Sequence, residues 1–498
     1  MNDTNFCGND PFFEARNLLN GLIDALRTQR WLHAEHGEVE ELIHKDGFEM
    51  MRLLLQGHLD ERSRQEPDFD SVEQGNCTHT YKRKNRSRLL NTIFGKVEVC
   101  RKSYSVGGID SIFPQDAELN LSADQYSDGL RRQTAFAVSE QSFEKASESL
   151  SRNTATTVAK RQVENITRHL SHDFDAFYES RPFKVSDNTD LVVLTCDGKG
   201  VVMRQSDLRP ATREAAESSK HKKQTRLSRG EKGNRKRMAT VASVYDIAPH
   251  IRSAESIIGD KKENTQRSKP DNKRLWASVE KSSQEVIEEM FSEALRRDPE
   301  QKRKWVVLVD GQPTQLKRLQ WVMKKHKMSI PIVLDFIHVL EYLWKAAYCF
   351  FDESSQEAEQ WVKKRALKVL SGEASQVAAG IRRSCTKRNL SAKERVNADK
   401  CADYLLKYRS YLRYDKYLAA GYPIATGVIE GACRYLIKDR MDITGARWGL
   451  QGAEAILKLR AIIACEDFEQ YFNFHKRMER NRNFPFYEQI AYKYKMVA

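Results

Sequence analysis

Three acidic residues stand where a carboxylate can do chemistry. Asp197 closes the apolar run VVLTCD and Asp310 closes WVVLVD, and each is followed by a glycine that permits a sharp turn and close approach of a ligand. A carboxylate at the end of a buried strand must be solvated, paired or metal-bound, because an isolated buried charge is costly. The third acid, Glu430, lies between Gly427 and Gly431 in a helical stretch. If the two strands are neighbours, both aspartates project into one spot. Two such aspartates and a helix-borne glutamate make a hard-oxygen site for Mg2+ (or Mn2+), with two ions expected. Ions about 3.5–4 Å apart stabilise both the attacking and the departing oxygen of an in-line phosphoryl transfer. They also acidify an attacking water or 3′-hydroxyl, so no protein general base is required. Any one of these aspartates alone reads as a turn or cap residue, and the combination is what argues for a site.

Two further groupings carry chemistry less specifically. Asp335 and His338 are three residues apart where a strand passes into a helix. Asp335 is explained by N-capping, and His338 sits one turn later on the same face, able to meet a phosphate or to orient Asp335. Around Gly445 stand Lys438, Arg440, Arg447 and Trp448. Arginine suits bidentate phosphate binding and tryptophan stacks on an unpaired base, although a buried core tryptophan is the commoner case.

The elements that must position these residues follow from periodicity. Residues 190–203 read as a buried strand, a turn at Gly198–Gly200 and a returning strand, and Met238–Ile247 as a third strand. A helix is expected near Leu275–Leu295, then a strand at Trp305–Asp310, a helix through Gln315–His326, a strand at Ile330–Asp335 and a helix at Phe336–Phe351. This order matches an RNase H-like α/β sheet. Residues 352–420 read as an all-α insertion, and the chain should then return to the sheet as helices.

Upstream, residues 11–60 read as helices, and NTIFGKVEVC as a β-hairpin turning at Gly95. The hairpin is flanked by Lys82, Arg83, Lys84, Arg86, Arg88, Arg101 and Lys102, with Tyr81 and Tyr104 available to stack; a solvated charged sheet face is the alternative. Three helical runs follow, near Ser127–Val138, Ser142–Leu150 and Thr156–Phe177, with Ser142 and Thr154 or Thr156 as N-caps. This is a helix-turn-helix outline, in which Lys160, Arg161 and Arg168 would face DNA. Three-helix segments without that role are common. Residues 213–237 hold ten Lys/Arg against three acids, the composition of a mobile loop.

Composition narrows the class. The 498 residues are 40% hydrophobic, so wholesale disorder is not expected, and no apolar run reaches the ~18 residues of a membrane span. The N-terminus lacks the pattern of a secretory signal. Nine cysteines, dispersed and without a C-x-x-C pair, fit a reducing cytoplasm rather than a disulfide framework. Net charge is +14, unevenly placed: residues 1–75 are acidic at −9, which leaves +23 on the remainder. A basic body suits a polyanionic partner such as nucleic acid.

The strings CDGKGV, RKRMATVASVYDIAP, LVDGQ, LDFIHVLEYLW and GVIEGACRYLIKDRMDITGARW resemble bacterial insertion-sequence DDE transposases of the ISKra type (family four). More distantly they resemble Mutator-like transposases. The likeness extends to NTIFGKVEVCRKSY and AELNLSADQYSDGLRRQ. It implies an α/β RNase H-like catalytic core interrupted by an all-α insertion, with Asp197, Asp310 and Glu430 as the catalytic acids holding Mg2+ and Asp335 and His338 as the family's paired motif at the active site. It also implies Arg440, Gly445 and Trp448 near the DNA end. The expected organisation is an acidic helical module (1–75), a basic hairpin region (76–122), a helix-turn-helix-like region (123–185), the first part of the core (186–351), the insertion (352–420) and the final core helices (421–498). The expected partners are double-stranded DNA, as terminal inverted repeats and target, and a second copy in a homodimer; a nucleoid-associated cytoplasmic location and no membrane association go with them. Two other classes fit the same residues: a catalytically silent DNA-binding descendant and an RNase H-like nuclease.

Overall fold

The computed structural model describes residues 10–182, 190–220, 228, 231, 233–258, 268–443 and 445–497. Much of the basic tract, including Lys222, Lys223, Arg226, Arg229 and Lys232, lies outside the described residues. The chain divides into two compact units, Met1–Ser180 with Asp467–Ala498, and Arg181–Glu466.

In the first unit, helices α1 (Phe13–Leu26) and α2 (His36–Arg64) precede an antiparallel hairpin of β1 (Tyr81–Thr92) and β2 (Gly95–Val106), which β3 (Ile109–Ile112) extends. Leu59 of α2 is buried with Leu90, Val97 and Val99 of the hairpin. Gln56 seals the contact, donating to the Glu98 carbonyl at 2.9 Å and accepting from the Glu98 N–H at 2.8 Å. Helices α3 (Asp128–Glu140), α4 (Phe143–Asn153), α5 (Lys160–Leu170) and α6 (Phe174–Ser180) follow. Ser127 and Ser142 cap α3 and α4 by accepting from backbone N–H groups. The long third helix expected over Thr156–Phe177 is instead α5 and α6, broken around Ser171. Thr154 and Thr156 are not its caps. Both are buried in the preceding loop, where the Thr156 hydroxyl donates to the Thr92 carbonyl at 2.6 Å.

The second unit is built on a five-stranded sheet: β4 (Leu191–Val202), β5 (Lys236–Ile247), β6 (Asp271–Ser278), β7 (Trp305–Val309) and β8 (Ile332–Leu334). The spatial order is β8–β7–β4–β5–β6, with β4, β5 and β6 antiparallel and β7 and β8 parallel to β4. Leu191–Cys196 and all of β7 are buried, as parallel strands covered on both faces must be. The turn expected at Gly198–Gly200 is absent. β4 runs straight through it, pairing Gly198 with Thr240 and Gly200 with Met238. The glycines admit β5 side chains: a Cβ on Gly200 would lie 2.8 Å from Lys236 Cδ. The third antiparallel strand is therefore β6, in a stretch whose Leu275, Trp276 and Ala277 read as the start of a helix. That helix, α7 (Ser283–Arg297), begins later, at a capping box between Ser282 and Glu285.

Helix α8 (Pro313–Lys325) links β7 to β8, and α9 (Phe336–Ala347) follows β8 directly. Four helices then succeed one another, α10 (Gln356–Leu370), α11 (Ala374–Lys387), α12 (Val396–Lys407) and α13 (Tyr414–Ala419). The chain returns as α14 (Gly427–Cys433), which packs on β4 and β5, continues into a π-helical turn at Arg434–Lys438, and ends in α15 (Leu450–Ala464) against β6. The last helices, α16 (Phe468–Asn483) and α17 (Tyr487–Val497), belong to the first unit. Residues 421–498 thus do not form one segment. The division falls at Glu466, because Phe468 and Tyr471 bury their rings against Phe136 and Phe177. No helix among the described residues is long and apolar enough to cross a membrane.

Candidate active site

Strand register brings the acids together. β4 and β7 pair in parallel with Val192 opposite Trp305 and Thr195 opposite Leu308, and β7 and β8 pair with Leu334 opposite Val309. Following each ladder on sets Asp197, Asp310 and Asp335 at one level on three adjacent strands. Residues at one level of parallel strands share a face. Asp310 and Asp335 stand just past their strands. Asp197 does not end its strand, because the pairing of β4 with β5 carries on to Val202.

Each carboxylate is oriented locally. Asp197 accepts from the Gly198 N–H at 2.6 Å and from the Cys433 thiol at 3.3 Å, one helical turn beyond Glu430 on α14. Burial and then the Asp197 charge push the Cys433 thiol far above its usual range, so it stays protonated as a donor. Asp310 accepts from the Gln312 N–H at 3.1 Å across Gly311, whose φ of 94° and proximity to Leu334 exclude a side chain. Burial, and after it the charge of Asp197, raise the Asp310 carboxyl despite that hydrogen bond. Two like charges are being held close.

Asp335 is fully buried and caps α9 by accepting from the Ile337 N–H at 3.1 Å. It also meets His338 Nδ1 at 3.3 Å, the Thr426 N–H at 3.3 Å and the Thr426 hydroxyl at 2.9 Å. Burial opposes its charge, yet these hydrogen bonds, His338 first, hold Asp335 below the ordinary carboxylate range. The same contact raises His338. Thr426 Oγ1 also lies 3.1 Å from Glu430 Oε1. A hydroxyl has one proton and serves only one of the two carboxylates at a time, and Glu430 is exposed.

The five acidic and imidazole residues therefore share one locality, through Asp197–Asp310 repulsion, the His338–Asp335 pair and the Asp335–Thr426–Glu430 chain. Thr426 and Cys433 escape sequence reading, since neither type announces a site; their only signal is spacing, four before and three after Glu430. Among the described residues, no Lys or Arg forms an ion pair with Asp197, Asp310 or Glu430, so their charge is not neutralised internally. Among the described residues, these three acids do not bring one ligand atom each within 4.8 Å of one another.

The basic residues divide into exposed and consumed. Lys160, Arg161 and Arg168 are exposed on α5; Lys160 reaches Glu144 at 3.7 Å and Arg168 reaches Glu164 at 2.6 Å. Arg447 is exposed. Arg440 and Trp448, expected to meet DNA, instead pack on each other inside the protein. The Arg440 guanidinium lies 4.8 Å from the Trp448 ring, whose Nε1 donates to the Met441 carbonyl at 3.1 Å. Trp448 also bonds by its backbone to Val202 and Arg204, extending the ladder of β4. On the hairpin, Arg88 and Arg101 are tied to buried Asp116, and Lys82 and Lys102 to Asp68. Arg83, Lys84 and Arg86 remain exposed around a bulge at which Asn85 has φ 55°. Tyr81 lies under Arg83, whereas Tyr104 is core, its hydroxyl accepting from the Phe69 N–H at 3.0 Å.

No protein-family model matches the chain, and a search of curated proteins finds no match.

Proposed function

We propose that the protein is a DDE-type transposase with an RNase H-like catalytic core, cutting DNA at transposon ends and joining the freed 3′-hydroxyl to target DNA. The observation that carries this reading is the common level of Asp197 and Asp310 on adjacent parallel strands, with Glu430 linked to the same row through Thr426. A central strand paired antiparallel with β5 on one side and parallel with β7 on the other, with α14 returning across it after a run of helices, agrees with such a core.

Asp197, Asp310 and Glu430 are the residues that would hold Mg2+ or Mn2+. All are oxygen donors, two repel each other, and among the described residues none forms an ion pair with Lys or Arg. The bound ions supply charge neutralisation at the phosphate and a more acidic nucleophile. His338 in its charged form offers a hydrogen bond to a phosphate oxygen, and Asp335 positions it. The Asp197 carboxylate is kept in place by the Gly198 N–H and the Cys433 thiol. Exposed Arg83, Lys84, Arg86, Lys160, Arg161, Arg168 and Arg447 suit contact with the DNA backbone. Two ends must be held together for joining, which makes a homodimer the working assembly.

The test is a plasmid carrying the gene with its flanking DNA, incubated with purified protein and Mg2+, with junctions read by sequencing. End cleavage and joined products are expected, with a drop on the order of 10^3-fold or more in D197N, D310N and E430Q. Binding to the flanks without cleavage would instead mark a silent DNA-binding protein. Cleavage that never yields joined products would mark a nuclease.

A further inference from the structure

Within the first unit, α5 and α16 meet at a cluster of ionisable side chains that phosphoryl transfer does not use. His475 and Glu479, one turn apart on α16, are 1% and 4% exposed, and His169 lies near the end of α5. The ligand atoms of the three lie within 4.8 Å of one another. His169 Nδ1 is 3.1 Å from Glu479 Oε1, and His475 Nε2 is 3.5 Å from Glu479 Oε2. Ligands at 2.0–2.1 Å from a tetrahedral Zn2+ stand about 3.3–3.5 Å apart.

The surroundings prepare His475 as a ligand. Asp173 Oδ2 lies 2.6 Å from its Nδ1, and Arg482 holds both Asp173 oxygens at 2.6 and 2.9 Å. In the neutral tautomer that directs its ring proton at Asp173, Nε2 carries a lone pair beside a carboxylate. Neither His475 Nε2 nor Glu479 Oε1 has a hydrogen-bond partner, although both atoms are buried. Among the described residues, no Lys or Arg forms an ion pair with Glu479. A buried lone pair and a buried carboxylate repel unless a cation stands between them. Two imidazoles and one carboxylate select Zn2+ and its neighbours over Mg2+, and a carboxylate behind a ligating histidine is the usual means of orienting it.

We propose that His169, His475 and Glu479 bind one Zn2+-class ion, with water completing the coordination, and so pin α16 to α5. The side chain of His169 is 45% exposed and provides the entry path. Arg131 Nη1, 2.9 Å from His169 Nδ1, shares that lone pair in the metal-free protein. It retains Asp124 at 2.7 Å and the Tyr126 carbonyl at 3.2 Å when the metal takes over.

Full-length protein stripped by chelator is titrated with Co2+, followed by visible absorption, and with Zn2+, followed calorimetrically. With D197N/D310N as the background that removes the carboxylate site, one ion per chain is expected, with the intense visible bands of four-coordinate Co2+. Binding should weaken at least tenfold in E479Q, which keeps the side-chain volume, and in H169Q, an exposed position whose replacement does not threaten folding. Absence of binding in the wild type, or wild-type affinity and stoichiometry in H169Q, would reduce the cluster to a proton-bridged ion-pair network.

Discussion

Asp310 holds its proton more tightly than an ordinary aspartate because burial, and after it Asp197, disfavour the charged form. An acid whose folded pKa is raised destabilises the fold as pH climbs past its ordinary value of 3.8. In metal-free buffer at neutral pH, D310N should therefore unfold at higher temperature, by roughly 0.5–2 kcal/mol of added stability. DNA cleavage should be lost in the same variant. A D310N protein less stable than wild type by calorimetry would remove the argument that the site stores like-charge repulsion. The Asp335–His338 pair titrates in the opposite sense at each end. Asp335 is depressed, so its contribution is present above its ordinary value of 3.8 and lost as pH falls through the folded value. His338 is raised, so its contribution is complete below its ordinary value of 6.5 and lost as pH rises through the folded value. Urea unfolding of wild type and H338Q should differ most in the mildly acidic window between those limits. A difference independent of pH would exclude the pair as the source.

Elements explain why some of this was legible in the sequence and some was not. Asp310 and Asp335 stand out because a short apolar run stops at an acid and a helix follows; both signals are local. Asp197 misleads, since Gly198 and Gly200 look like a turn and only pairing with β5 keeps them extended. The level shared by the three aspartates is register, a property of neighbouring strands that no single segment carries. The basic hairpin is the same kind of case. Seven cations are visible in the sequence, but the acids that consume Arg88, Arg101, Lys82 and Lys102 come from elsewhere in the chain. R83S/R86S should therefore weaken DNA binding evenly across sequences and lower the log–log salt slope by about 2, since each lost phosphate contact removes ~0.9. Fluorescence anisotropy between low and moderate salt reads this directly. An unchanged slope would take the hairpin out of the interface. R88S should act on stability instead, because it leaves buried Asp116 with one cation fewer.

At the scale of the whole molecule, the proposed joining of two DNA ends would set a demand beyond one chain. Asp197, Asp310 and Glu430 all belong to the second unit, so each copy carries one candidate site. On the transposase reading, two copies then act on two ends within one assembly, and catalytic defects become visible to their partners. Closed two-fold assemblies formed from equal amounts of wild type and D197N, allowed to exchange subunits before DNA is added, contain about one quarter wild-type pairs. Products joined at both ends should fall to that fraction of the wild-type yield, while single-end cleavage falls only to about one half. Two-ended joining at one half would mean that the copies act independently, and the homodimer would lose its mechanistic basis even if the protein sediments as one.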